Sequence, residues 1–175
     1  MKVDINIVNL DKIVEKYETF GKKGRDAAAE LVFDVSSETA EQAKKNARGQ
    51  SFDRGSLVQG IYVKKRGEMD ADVIASAAHS GYVEFGTGAQ VKVPPAFQSI
   101  ATKIRSRPKK DGALQAIREW CKRKGIDEKA AWPILMAILK RGLTPKPFFY
   151  PAFLFARGEI KRKAKIILKQ LKEDF

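Results

Sequence analysis

Cysteine and histidine are almost missing from this 175-residue chain: Cys121 and His79 each stand alone. One cysteine closes no intramolecular disulfide, and two soft ligands of different kinds do not make a structural zinc or haem site. Cys121 reads as a small residue packed in a helix and His79 as an ordinary strand-end residue, so neither is assigned a catalytic role. Long hydrophobic runs are missing too. The longest, residues 130–139 and 148–156, fall short of the roughly 20 residues of a membrane-spanning helix, so no membrane segment is expected. Asp4, Asp11, Glu15 and Glu18 break up the N-terminal apolar residues, which argues against a secretory signal and for a cytosolic chain.

Motifs for phosphate chemistry are equally scarce. No Gly-x4-Gly-Lys-Ser/Thr loop occurs, and Gly86-Thr-Gly88 lacks the third glycine and the strand and helix context of a dinucleotide site. The acids of the first half are spread along helical positions rather than gathered in pairs for acid–base or two-metal work. No catalytic, metal or cofactor site is therefore expected.

What the chain does have is apolar content and unevenly placed charge. With 43% hydrophobic and 31% charged residues it can form a core, and its length suits a single domain, 1–175. Residues 1–88 hold 13 Lys and Arg against 14 Asp and Glu, whereas residues 89–175 hold 21 against 7, so the net +13 arises entirely in the second half. A polyanion, either nucleic acid or an acidic protein surface, is the natural partner of such a half.

Periodicity sets out the elements. Leu10, Ile13, Val14, Tyr17 and Phe20, then Ala28, Leu31, Val32, Val35 and Thr39, predict a long amphipathic N-terminal helix with a kink or break at Gly21 and Gly24. Residues 47–55 predict a loop. Leu57–Val63 and Val73–Ala78, separated by a charged stretch with Gly67, predict a β-hairpin, which needs a cover because two strands alone are marginal in water. Val91–Pro95 reads as extended, Phe97 to Ile104 as helical, and Arg105–Gly112 as a basic loop. Two short helices follow, around Leu114–Cys121 and Ile134–Leu139, stopped by Gly125 and Gly142. Thr144-Pro-Lys-Pro147 predicts an extended approach to residues 148–152. Last comes a helix with Ile160, Ala164, Ile167, Leu168 and Leu171 on one face and Lys161, Arg162, Lys165, Lys169 and Lys172 on the other. The expected class is α+β: a small hairpin-based antiparallel sheet packed by the N-terminal and C-terminal helices, with extra short helices.

Glu84, between Val83 and Phe85, is the one acid in an unusual setting. Without an accompanying base, nucleophile or metal ligand, it reads as a carboxylate that accepts backbone hydrogen bonds or pairs with a basic residue across an interface. Tyr82-Val-Glu-Phe-Gly-Thr-Gly88 after a hairpin, then a Trp-containing helix pair, then Pro147-Phe-Phe-Tyr-Pro-Ala152 and a basic terminal helix, together form a recognisable order. That order resembles the tail-component family of long-tailed, lambda-like bacteriophages, which comprises neck and tail-completion proteins. The pattern of that family is carried here by Tyr82, Glu84, Phe85, Gly86 and Thr87 early, and by Pro147, Phe148, Pro151 and Ala152 late. Residues 89–112 are longer than a minimal member needs and read as a family-variable insertion or loop.

The resemblance implies a non-enzymatic virion protein of the neck or tail, present in the host cytoplasm during assembly and acting as a homo-oligomeric ring or in several copies. It implies contacts with the tail tube or tail terminator and with head connector proteins, and potential contact with packaged DNA. Lys161, Arg162, Lys165, Lys169 and Lys172 are the residues expected to make the assembly or polyanion contact. Two other classes remain open on the residues alone: a basic nucleic-acid-binding protein outside any virion, and an enzyme or toxin of unknown type.

Overall fold

A computed structural model of the chain describes residues 2–4, 21–48, 55–99 and 110–173. Among the described residues, three strands and six α-helices run in the order β1 (Lys2–Asp4), α1 (Lys22–Arg48), α2 (Ser56–Gln59), β2 (Ile61–Lys65), β3 (Ala71–Ala75), α3 (Ser80–Phe85), α4 (Lys110–Lys124), α5 (Ala131–Arg141) and α6 (Phe149–Glu173). Single 3-10 turns occupy Gly88–Gln90, Pro95–Phe97 and Glu128–Ala130. The class is α+β, as expected. Residues fall into two compact units, Met1–Ala77 with Phe148–Phe175, and Ala78–Pro147.

The first unit holds the sheet and the two long helices. β3 is the central strand of the order β1-β3-β2, paired antiparallel on both sides, with Val63 opposite Val73 and Val3 opposite Val73 on the other edge. β3 is buried along most of its length, while β2 keeps Ile61 inside and Lys64 and Lys65 in solvent, which suits a short edge strand. The turn between β2 and β3 closes through Arg66 and Gly67 amides donating to the Asp70 carbonyl, at 2.9 and 3.2 Å. Arg66 Nε also donates to the carboxylate of buried Asp72 at 2.7 Å, so a charge inside the sheet is paired.

Helix α1 covers the hairpin and packs along α6, and β1 adds a third strand on β3, which together supply the support that a hairpin alone lacks. Its inner face is built from small residues, Ala28, Ala40, Ala43 and Ala47, together with Leu31, Val32 and Val35. Ser36 and Thr39 are buried on the same face, and each hydroxyl donates back one turn, to Val32 O at 2.7 Å and Val35 O at 2.6 Å. Leu31 and Val35 meet Ala156 and Ala164 with Ile160 and Ile167 alongside; Ala28 meets Leu171 with Met69, Ile167 and Leu168.

Several element bounds differ from the expectation for definite reasons. Helix α1 begins at Lys22 after Gly21, whose φ is +71°, and carries Gly24 inside it, buried. The expected stretch from Leu10 to Phe20, and Ile100 to Ile104, lie outside the described residues. Leu57 and Val58 belong to helix α2, so the first strand starts only at Ile61 and extends through Lys65. Lys110–Gly112, expected in a loop, already belongs to α4. Helix α6 starts at Phe149 rather than near Ile160. Pro151 then stands in its first turn, where its missing N–H leaves no helical hydrogen bond unmade.

The second unit is helical. Helices α4 and α5 pack on each other, burying Cys121, Ala131 and Leu135. Gly125 and Gly142, at φ +68° and +78°, end them in left-handed conformations that a glycine adopts without strain. Asp127 accepts from the Lys129 amide at 2.9 Å and caps the turn leading into α5.

Candidate functional site

The early motif is a corner. Helix α3 ends as the Gly86 amide donates to Tyr82 O at 3.0 Å, and Gly86 turns the chain with φ +72°. A Cβ at Gly86 would lie 2.5 Å from Leu143 O and 2.9 Å from Pro145 Cδ, so the backbone of residues 143–145 occupies the space a side chain would need. Thr87 holds that approach from both ends: its amide donates to Leu143 O at 3.0 Å, and its Oγ1 accepts from the Leu143 amide at 2.8 Å. The Lys146 amide donates to Val83 O at 2.7 Å. Tyr82–Thr87 is therefore laced to the stretch that runs into Pro147. Phe85 is buried against Phe97 with ring centroids 5.9 Å apart, and Glu84 is buried beside it in sequence at 2% exposure.

The later motif starts helix α6 in the first unit. Phe148 and Phe149 are fully buried, edge to face at 6.0 Å, and Ala152 is buried one turn on, while Pro151 faces solvent. Asn46, near the end of α1, donates its side-chain amide to Phe148 O at 2.9 Å and fixes where α6 begins. Sequence reasoning missed Asn46, because a bond across 102 residues leaves no local pattern.

The basic face is present on α6. Lys161, Arg162, Lys165, Lys169 and Lys172 are all exposed, and Ile160, Ala164, Ile167, Leu168 and Leu171 face inward. The five cations are not equivalent. Arg162 is held by Glu159 one turn earlier, at 3.1 Å from Nε, and this pairing lowers the Glu159 carboxyl pKa and raises that of the guanidinium. Lys169 lies 3.7 Å from Glu173. Lys161, Lys165 and Lys172 have no ion pair among the described residues. Lys163 has the opposite role: at 19% exposure it reaches α1, with Glu38 at 2.7 Å and Asp34 at 4.0 Å. Its position three residues from Ile160 and four from Ile167 is the signal that would have assigned it to the packed side.

In the second unit, Trp132 and Met136 stand one turn apart on α5 at 54% and 45% exposure. Among the described residues no three His, Cys, Asp or Glu side chains gather where they could hold a metal ion. No described helix is long and apolar enough to cross a membrane.

Residues 9–86 match a family model. Its description is "Bacteriophage HK97-gp10, putative tail-component". The match bears out the resemblance to a tail-component family of tailed phages, and it includes α1, the hairpin and the early motif through Gly86. Pro147, Phe148, Pro151, Ala152 and the basic face lie beyond it. No curated protein and no solved structure matches the chain.

Proposed function

We propose that the chain is a non-enzymatic virion protein of a tailed phage that completes the tail and joins it to the head at the neck, in a ring or several copies. The observation that carries the reading is the family match over residues 9–86, whose description is that of a tail component. The joining role is supported by α6, whose cations Lys161, Lys165 and Lys172 are exposed and without an ion pair among the described residues. Folding does not need such a ridge. An acidic head-connector or tail-terminator surface, a neighbouring copy of the chain in the ring, or packaged DNA would supply its counter-charge. Each exposed contact adds only about 0.2–1 kcal/mol, but repetition around a ring multiplies the effect. The protein would be made in the host cytoplasm and end in the virion.

The test is complementation of the encoding phage with this gene removed, counting heads, tails and joined particles by electron microscopy. The wild-type gene should restore joined particles, and K161E/K165E/K172E should leave filled heads and finished tails apart. Joined particles at normal yield without the gene would exclude the joining role. Tight retention of the isolated chain on DNA with no effect on particle yield would favour the other reading, a basic nucleic-acid-binding protein outside the virion.

A further inference from the structure

An open groove runs between α1 and α6, with Ala27, Leu31, Ile167 and Leu171 along it and Ile166 left 46% exposed. One wall is acidic. Glu30 and Asp34 stand one turn apart on α1, and the cation lining the groove, Lys163, is shared between Glu38 at 2.7 Å and Asp34 at 4.0 Å, which leaves Glu30 with no ion pair among the described residues. With Glu38 counted, three carboxylates stand against one cation, so the groove combines an apolar floor with an excess of negative charge. On another side of α6, Lys161, Lys165 and Lys172 follow one another at steps of four and seven, a single line along the helix, with exposed Leu154 seven residues before Lys161 on that same line. That line spans about 16 Å from Lys161 to Lys172, and the α6 side of the groove, from Lys163 to Leu171, spans about 12 Å.

We propose that the groove between α1 and α6 receives the Lys161–Lys165–Lys172 ridge of a second copy of this chain. Lysine stems lie on the apolar floor while their ammonium groups meet Glu30 and Asp34. Charge complementarity selects this occupant: the chain carries an acidic wall with more carboxylates than cations and a basic ridge without ion pairs among the described residues, on different faces, so one copy cannot satisfy itself. A groove-to-ridge contact joins unlike surfaces and is head-to-tail. Such contacts propagate, and they close into a ring when the rotation allows. The inference deepens the multi-copy part of the proposed function and rests on that reading for its biological setting, but the contact belongs to the isolated chain and is tested without the phage.

The experiment is sedimentation equilibrium of the purified full chain and three variants, with circular dichroism to verify that each is folded. Wild type should associate with rising concentration up to about 100 μM, and added salt should weaken it. E30K/D34K should weaken association at least about tenfold because groove and ridge are then both basic, and K161E/K165E/K172E should do the same because both are acidic. The five-fold variant carrying both sets reverses both surfaces and should associate again. A wild type that stays monomeric overturns the proposal, as do single-surface variants that associate like wild type, or a combined variant that does not recover. Recovery of association together with normal particles from a phage lacking the gene would leave the contact standing and remove only the joining role.

Discussion

Gly142 faces the carbonyl oxygen of Thr87 so closely that an added Cβ would overlap it, and both sides of the approach are tied by the paired hydrogen bonds between Thr87 and Leu143. Gly142 stands at φ +78°, so a side chain there is disfavoured by the backbone and by its neighbour at once.

Gly142→Ala is therefore expected to destabilise the chain by about 1–3 kcal/mol, and Gly86→Ala, which meets Leu143 O and Pro145, by about 1 kcal/mol or more. Gly112→Ala is the control: its Cβ would meet nothing, it sits in helix α4, and the substitution should be neutral or stabilising by up to about 1 kcal/mol. Urea denaturation of the three variants checks the order. Equal effects at Gly142 and Gly112 would mean that the corner is not a tight contact.

Truncating Phe148, fully buried at the start of α6, should cost roughly 3–5 kcal/mol. Leu154→Ala, six residues on but 46% exposed, should stay within about 0.5 kcal/mol. Thermal unfolding of the pair distinguishes a buried anchor from a surface ring.

Lys163 and Glu38 join α6 to α1 at 2.7 Å. With Glu38 half exposed, a double-mutant cycle of Glu38→Gln and Lys163→Met should give a coupling of about 0.5–1 kcal/mol, falling in high salt. The same cycle on Glu30 and Lys163 should give a smaller coupling, because Lys163 is shared between Glu38 and Asp34. Equal couplings would show that Lys163 neutralises Glu30 as well.

The hydrogen bond from Arg162 holds the Glu159 carboxyl below the ordinary glutamate range. A depressed folded-state pKa means that the stabilisation is present above the unfolded-state pKa and is lost as pH falls through the folded-state value. Carbon-detected NMR titration should find Glu159 titrating below a free glutamate, and Arg162→Gln should return it toward the ordinary value. No change on Arg162→Gln would mean that the pair does not persist in solution.

Much of the first unit was legible from periodicity. The apolar spacing of Ala28, Leu31, Val32, Val35 and Thr39 marked the buried face of α1, and the faces of α6 were assigned residue by residue because a long amphipathic helix repeats its signal. Short runs carried less information. Leu57 and Val58 suit a strand or a single helical turn equally, and only the fold decides. Thr144-Pro-Lys-Pro147 pointed to an extended approach and left the start of the last helix undecided, and Pro151 is compatible with the first turn of the helix that forms at Phe149. The tie between Thr87 and Leu143 spans 56 residues and the one between Asn46 and Phe148 spans 102, so neither has a periodic trace. The hydrogen bonds that lace the early motif to the approach of the late one became visible only in three dimensions.

The central claim, a protein at the junction of tail and head, is tested most directly by locating it. Purified virions of the encoding phage, carrying an epitope on this chain and still infectious, should be labelled with gold-conjugated antibody and imaged by electron microscopy. The account predicts label at the head-proximal end of the tail on most particles. Virions that carry no label, or label confined to the distal tip, would contradict it.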